Sequence, residues 1–402
     1  MNLKGKKIVI TPFKCILFLV YMVEISNFYI GYTEMFQLFK YISICVIGIY
    51  LAKRYNIFLK RKYIKLNGIL VLFCFFTIVV SYFSVGNYER NPLLAAIVFS
   101  LIQLETVLVM EYAAEKGRMK YVLDSFFKTT VIWLLITDFM ILFIPNLFLK
   151  YDNYLVGTKF IVSYLHILLI SFAIINYRLN ILKNKMVIAL IFLLSTYITV
   201  KVECSTGLVG EILLIILLVL PYNLKKIFYK PISFTIAVIL SFLFSVIYEI
   251  VLANPLIQNL VEIYLSKELT LTGRTYIYAM LPKVLKGHYM MGYGYGTTYE
   301  VCEKYIGFAD TQNAVTEWIM QIGIVGVIIL MIIFCKIFSK VQECIKNDVN
   351  NEVKKYAVLI DYIYILVILG TVEITIDNIF WGVMALIFGG FCQTLKEGEN
   401  SL

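Results

Sequence analysis

Apolar runs of about 17 to 25 residues recur along the chain, separated by short charged clusters, and a helix of that length crosses the hydrocarbon core of a bilayer. The pattern predicts twelve spans, over 13–32, 35–52, 66–86, 92–113, 126–148, 159–177, 186–202, 206–222, 231–252, 315–338, 357–375 and 378–395. In lipid the backbone amides of each span must be satisfied within its own helix. The predicted fold class is therefore all-α, a polytopic membrane helix bundle of about 12 transmembrane helices.

Composition agrees. Of 402 residues, 61% are apolar and only 15% charged, against roughly 25% in soluble globular proteins, which excludes a soluble domain. The net charge of +10 reads as topological, which argues against nucleic acid as a partner. With the N-terminus inside, 26 Lys and Arg fall in inside segments and nine outside, five of those nine in one long loop. That asymmetry predicts a multi-pass protein with both termini cytoplasmic. The basic start at Lys4, Lys6 and Lys7 lacks a small-residue cleavage signature and reads as the flank of a retained first span. Eight scattered cysteines and two histidines supply no ligand-like spacing, so no metal site is predicted.

The long loop divides the chain into spans 1–9 (1–252), an extracytoplasmic segment (253–314) and spans 10–12 (315–402). Loops of this length are commonly functional. Leu256, Leu260, Ile263 and Tyr264 form one helical stripe, and Ile277, Met280, Leu281, Val284 and Leu285 another. Both predict surface helices. Thr297 and Glu300 fit a capping box opening a third.

Ionisable residues inside spans are costly and are usually paired or functional. Glu24 and Lys40 lie at comparable depth on either side of a short turn and read as a structural ion pair; Glu105, Glu111, Asp138, Glu211, Glu249, Asp361 and Glu373 are further buried charges. Lys159 and Lys201, with Glu203, Ser205 and Thr206, cluster at outer span ends. They would either surround a cavity for an anionic lipid phosphate or snorkel to the headgroups. Within the loop, Arg274 opens an amphipathic helix, where a cation opposes the helix dipole, so an anion nearby would account for it. Gly292, Gly294 and Gly296 permit close backbone approach just before a helix N-terminus; such a run is also often a plain turn.

In order, Gly273-Arg274 with Tyr276 and Tyr278, Gly292-Tyr293-Gly294, Gln312-Asn313 and Gly323-Ile324-Val325-Gly326 resemble the O-antigen polymerase and ligase superfamily, particularly the repeat-unit polymerases of capsular and exopolysaccharide synthesis. Gly157-Thr158-Lys159 and Ser205-Thr206-Gly207 are similar to two further signatures of that family. The resemblance is residue-specific over 272–326 and otherwise topological. It departs at Gln312, where the ligase branch has His, and at Thr206, where Arg often stands; Gln can neither act as a base nor carry charge.

The resemblance implies a C-class glycosyltransferase-like fold in a bacterial cytoplasmic membrane. It implies a metal-independent, cofactor-free transfer of a growing glycan from undecaprenyl pyrophosphate onto a lipid-linked repeat unit at the outer face. The undecaprenyl-pyrophosphate-linked oligosaccharide, membrane lipid and other polysaccharide-assembly proteins are the implied partners. Arg274 would hold the diphosphate, with Lys159 and Lys201 as supplementary cations. Asp310, Glu317 or His288 would take the acceptor proton, while Tyr276, Tyr293, Gly292, Gly294 and Asn313 would contact substrate. His288 reads rather as an exposed loop residue, while Asp310 reads equally as the N-cap of span ten and Glu317 as a buried partner of a loop cation. A flippase for lipid-linked oligosaccharides and an O-antigen-type ligase are the competing functions; the flippase predicts short outer loops and helices broken at mid-membrane.

Overall fold

The computed structural model describes residues 11–26, 34–144, 153–252, 254, 255, 258, 273–347 and 350–399. Each predicted span contains a helix. These are α1 (Pro12–Val20), α2 (Glu34–Ala52), α3 (Arg61–Tyr82), α4 (Pro92–Glu115), α5 (Met119–Phe143), α6 (Lys159–Arg178), α7 (Lys185–Lys201) and α8 (Ser205–Val219). After the short α9 (Tyr222–Phe228) comes α10 (Pro231–Leu252). The loop helices α11 (Arg274–Val284) and α12 (Thr298–Ile306) precede α13 (Ala314–Lys346), α14 (Asn350–Leu369) and α15 (Asn378–Glu399). Among the described residues, eight helices are long and apolar enough to cross a membrane: α2, α3, α4, α5, α6, α10, α13 and α15. The chain is thus a multi-pass helical membrane protein. Of the other four, α7 and α8 have only 17 and 15 residues, α1 continues as a π-turn at Tyr21–Ile25, and α14 carries Lys354, Lys355 and Asp361.

Helix starts follow local chemistry. Asn91 Oδ1 accepts the N–H groups of Leu93 (3.0 Å) and Leu94 (3.2 Å), with Pro92 at the first helical position of α4. Asn184 caps α7 through Met186 N at 2.9 Å, and Asn313 caps α13 through Thr316 N at 3.0 Å. A two-residue hairpin, β1 (Asn153–Tyr154) and β2 (Gly157–Thr158), leads directly into Lys159. The centre of the bundle is α15 and α6, buried on most of their surface, with α4, α3, α13 and α14 packed around them; α2 and α10 lie at the periphery.

In the loop, α11 turns its predicted stripe inward: Ile277, Leu281, Val284 and Leu285 are buried. The stripe at 256–264 lies outside the described residues. The third helix begins where expected, but without a capping box. Glu300 instead accepts the backbone N–H groups of Glu89 (2.8 Å) and Arg90 (3.0 Å), tying α12 to the α3–α4 turn. Thr297 Oγ1 donates to the Gly294 carbonyl at 2.8 Å.

The feature that organises this end of the bundle is a break in α13. Gly323 stands at φ 66° and ψ −179°, so the helix hydrogen bonds around it cannot form. Segment 289–294 completes them. Tyr293 N donates to Met320 O (2.7 Å) and Gly294 N to Gln321 O (2.9 Å); Ile324 N donates to Tyr289 O (2.8 Å) and Val325 N to Met290 O (3.3 Å). Such contact requires bare backbone. A Cβ on Gly323 would stand 2.1 Å from Met290 O, and one on Gly292 would stand 2.6 Å from the Gln321 carbonyl carbon.

Gly287 also has φ 87° but open space around it, so Gly287→Ala should cost only about 1–2 kcal/mol of backbone strain. Gly323→Ala adds overpacking and should cost about 3 kcal/mol or more. Thermal unfolding of the detergent-solubilised variants measures this, and equal shifts would show that segment 289–294 is not seated in the break.

Candidate functional site

The loop-bearing end of the bundle gathers charge on both sides of segment 370–377, which joins α14 to α15. On one side Arg274, the first residue of α11, donates Nε–H to Val372 O at 2.8 Å and forms an ion pair through Nη2 with Glu373. Its side chain is only 15% exposed, so it does not point into bulk solvent. The residue before it, Gly273, adopts φ 87°, which Gly tolerates, and sets the angle at which α11 starts. Tyr278 OH bridges Gln312 O (2.8 Å) and Thr371 O (3.1 Å), and burial pushes its phenol up from the ordinary value. Asp310 and Lys159 are both near enough to act on the charge of Glu373. Burial pushes the Glu373 carboxyl up to about 7 against the pull of the Arg274 guanidinium.

On the other side lie two adjoining cavities that share Phe99, Tyr295 and Asn378 in their walls. The larger, about 560 Å³, opens between α2, α4 and the π-turn that follows α1, and is lined by Glu24, Lys40 and Arg90. The smaller, about 220 Å³, is lined by Glu317, Trp318, Gln321 and Asp377. Tyr295 belongs to the shared wall: it stacks on Phe99 with centroids 4.4 Å apart, and its backbone N–H donates to Ser81 Oγ at 2.9 Å. Glu317 accepts from Thr311 Oγ1 (3.1 Å) and Gln321 Nε2 (2.9 Å). Asp377 accepts from Phe380 N at 3.2 Å, and burial pushes its carboxyl up to about 7 although the backbone amides at the start of α15 pull it down.

The expected pair of Glu24 and Lys40 needs correction. The two face each other within the larger cavity but make no direct contact: Glu24 Oε2 accepts from Gln103 Nε2 (3.3 Å) and Thr106 Oγ1 (3.5 Å), while Oε1 is buried without a hydrogen bond. Among the described residues, neither Lys40 nor Arg90 has an ion-pair partner.

Several expected substrate contacts are occupied by the protein itself. Asn313 is fully buried and uses its whole side-chain capacity, Nδ2 on Ser241 O and Thr371 O, Oδ1 on Thr316 N and Oγ1. Gly292 and Gly294 pack against Gln321, Gly323 and Ser84, which leaves no backbone face open for an anion. Tyr293 is buried and donates its OH to Val284 O. His288 stacks on that ring at 3.8 Å with Nδ1 3.3 Å from Gly292 O, which makes it an exposed bolt for the inserted segment. Asp310 is not the cap of α13, a role taken by Asn313; its Oδ1 accepts Gln312 N (2.9 Å) and Nε2 (2.6 Å) and holds Gln312 at φ 51°. Lys201 is exposed at the end of α7 with no ion pair among the described residues. Tyr276 is 52% exposed and its ring remains available to a ligand.

The structure therefore brings together Arg274, Glu373, Asp310 and Lys159, and separately Glu317 with Asp377, Lys40 and Arg90. Arg90 and Asp377 escape a reading by sequence because each resembles an ordinary turn or cap residue. Asn91-Pro92 directly after Arg90 marks a helix start, and only the fold shows the guanidinium lining a cavity. No protein-family model matches the chain and no curated protein matches it, so the functional reading rests on its residues.

Because burial raises Glu373 and Asp377, the folded protein binds their protons more tightly than the unfolded chain does. Their stabilising contribution is full below about pH 4 and is lost as pH rises through about 7. Glu373→Gln should flatten the fall in melting temperature over that window. Arg274→Ala should steepen it, costing about 3–5 kcal/mol at about pH 8 by stranding a buried carboxylate. Adding Glu373→Gln to Arg274→Ala should restore most of the loss. An unchanged slope in Glu373→Gln would show that this carboxyl does not titrate in the window.

Proposed function

We propose that the chain is a metal-independent polysaccharide polymerase with twelve spans and a C-class glycosyltransferase-like fold. In this reading both termini lie on the cytoplasmic side of a bacterial membrane and the loop-bearing end faces outward. It transfers a growing glycan from undecaprenyl pyrophosphate onto a lipid-linked repeat unit. The observation that carries the reading is the larger cavity, where Lys40 and Arg90 outnumber the single carboxyl of Glu24 and make no direct ion pair among the described residues, next to two carboxyl groups in the adjoining cavity.

The chemistry follows from those groups. Diphosphate oxygens lie against Lys40 and Arg90, which stabilise the charge that develops as the anomeric C–O bond breaks and polyprenyl diphosphate leaves with the bonding electrons. The acceptor hydroxyl oxygen forms the new glycosidic bond, and its proton passes to a carboxylate. Asp377 suits that role, since a base works best with its pKa near the operating pH; Glu317 lines the same cavity. Tyr295 and Trp318 offer aromatic faces for sugar rings. Arg274 acts through segment 370–377, which it ties to α11, and a direct grip on the diphosphate requires it to leave Glu373. Lys159 adds positive charge beside that segment.

One observation favours a transporter, namely the broken helix α13, a device of transport sites. Its freed backbone groups, however, are bonded to segment 289–294 and offer no ligand site.

The test is carried out in cells relying on variant protein. Lys40→Ala with Arg90→Ala, and separately Asp377→Asn, should lower polymer by roughly 10²-fold or more while single lipid-linked units accumulate on the outer side. Arg274→Ala in the Glu373→Gln background, where folding is relieved, should also lose polymer. Wild-type polymer in the first two variants would remove the assignment. Units held on the inner side would indicate the flippase, and polymer made but left unattached would indicate the ligase.

A further inference from the structure

At the opposite end of the bundle, three parts of the chain bring cations to one pocket of about 400 Å³: Arg178 ends α6, Lys225 lies in α9, and Lys354 and Lys355 stand near the start of α14. Lys225 is buried and paired with Asp361 at 2.7 Å. Arg178 Nη1 donates to the Lys354 backbone carbonyl at 2.7 Å, which draws the guanidinium to the start of α14. Lys226 and Lys354 lie 5.2 and 5.0 Å from the centre of the Tyr222 ring. Neither Arg178 nor Lys354 makes a direct ion pair among the described residues, although Asp361 is near enough to act on the charge of Arg178.

Lysines spread over one face of a membrane protein are an ordinary consequence of topology. This arrangement goes further. One cation is buried, a second is held by main chain, and both share a void with a third. Asp361 balances one of these charges, and the positive charge that remains in excess favours a bound anion. The rest of the wall is apolar: Leu218 and Leu220 continue into Ile216 and Val219 of α8, which are 52% and 78% exposed. The pocket thus joins a cationic floor to a surface made for hydrocarbon.

We infer that this pocket binds the phosphate of an anionic phospholipid, with the headgroup against Arg178 and Lys354 and an acyl chain along the outer face of α8. Basic pockets between membrane helices recognise such headgroups by their charge. The same cations would accept a soluble phosphate compound, so the test separates the two sources. The site is independent of the polymerase reading, because no group in it belongs to the cavities at the other end.

The full chain is placed in nanodiscs of phosphatidylcholine alone or mixed with phosphatidylglycerol. It is then followed by thermal unfolding, and by native mass spectrometry of retained lipid. Phosphatidylglycerol should raise the melting temperature and stay bound. Lys354→Gln, an exposed side chain whose loss the fold tolerates, should weaken retention about fivefold, and Arg178→Gln with Lys354→Gln more strongly. Lys53→Gln, an exposed basic residue outside the pocket, should behave as wild type. Retention in the pocket variants equal to wild type would overturn the site. Protection by inorganic phosphate in detergent, with none from phosphatidylglycerol, would overturn the lipid assignment in favour of a soluble ligand.

Discussion

A helix that crosses lipid cannot leave its peptide groups unbonded, since water is absent and each orphaned amide costs several kcal/mol. α13 meets that constraint in an unusual way at Gly323: four backbone hydrogen bonds from segment 289–294 replace those the helix loses. Two glycines make this possible, because the backbones at 292 and 323 approach more closely than any side chain allows. Tyr295 follows directly from the inserted segment and forms part of the wall that the two cavities share. Seating of the loop and shape of the site are thus one problem. A change that expels the segment unsatisfies α13 and displaces part of the wall that both cavities share.

Around this insertion, charge serves mainly to locate backbone. The Arg274–Glu373 pair, the Arg274 bond to Val372 and the Tyr278 bond to Thr371 tie α11 to segment 370–377, and Asn313 at the start of α13 also reaches Thr371. Buried ion pairs of this kind contribute little net stability, yet losing one partner is costly, which makes them effective at specifying position. Asp377 sits at the end of the segment so fixed, at the N-terminus of α15, where backbone amides favour its charged form and burial opposes it. Lys40 and Arg90 contrast with this frame. They line open volume and are not consumed by it.

The helices were legible because apolar runs and charged punctuation are local signals, and the inward stripe of α11 was legible for the same reason. The hairpin at 153–158 was not, since two-residue strands leave no period to read. Gly292, Gly294 and Asn313 drew attention correctly, but for the wrong partner: a glycine that admits a phosphate and a glycine that admits another backbone look alike in one chain. Glu24 and Lys40 do line one cavity, yet a sequence cannot say whether open volume lies between two side chains. Glu300 shows the same limit, as its carboxylate serves amides of the α3–α4 turn rather than its own helix.

The sequence by itself determined that this is a multi-pass helical membrane protein with one long segment between its ninth and tenth apolar runs. It could do so because bilayer thickness imposes a length and a polarity on each helix separately, within about 20 consecutive residues. Only the tertiary structure decided which cations remain unpaired, which carboxyls share a void with Tyr295, and which glycines mate. Those outcomes depend on contacts such as Glu300 with Arg90 and Arg274 with Glu373, between residues far apart in the chain. The energy of a charge is set by whatever packs beside it, and no local pattern carries that information.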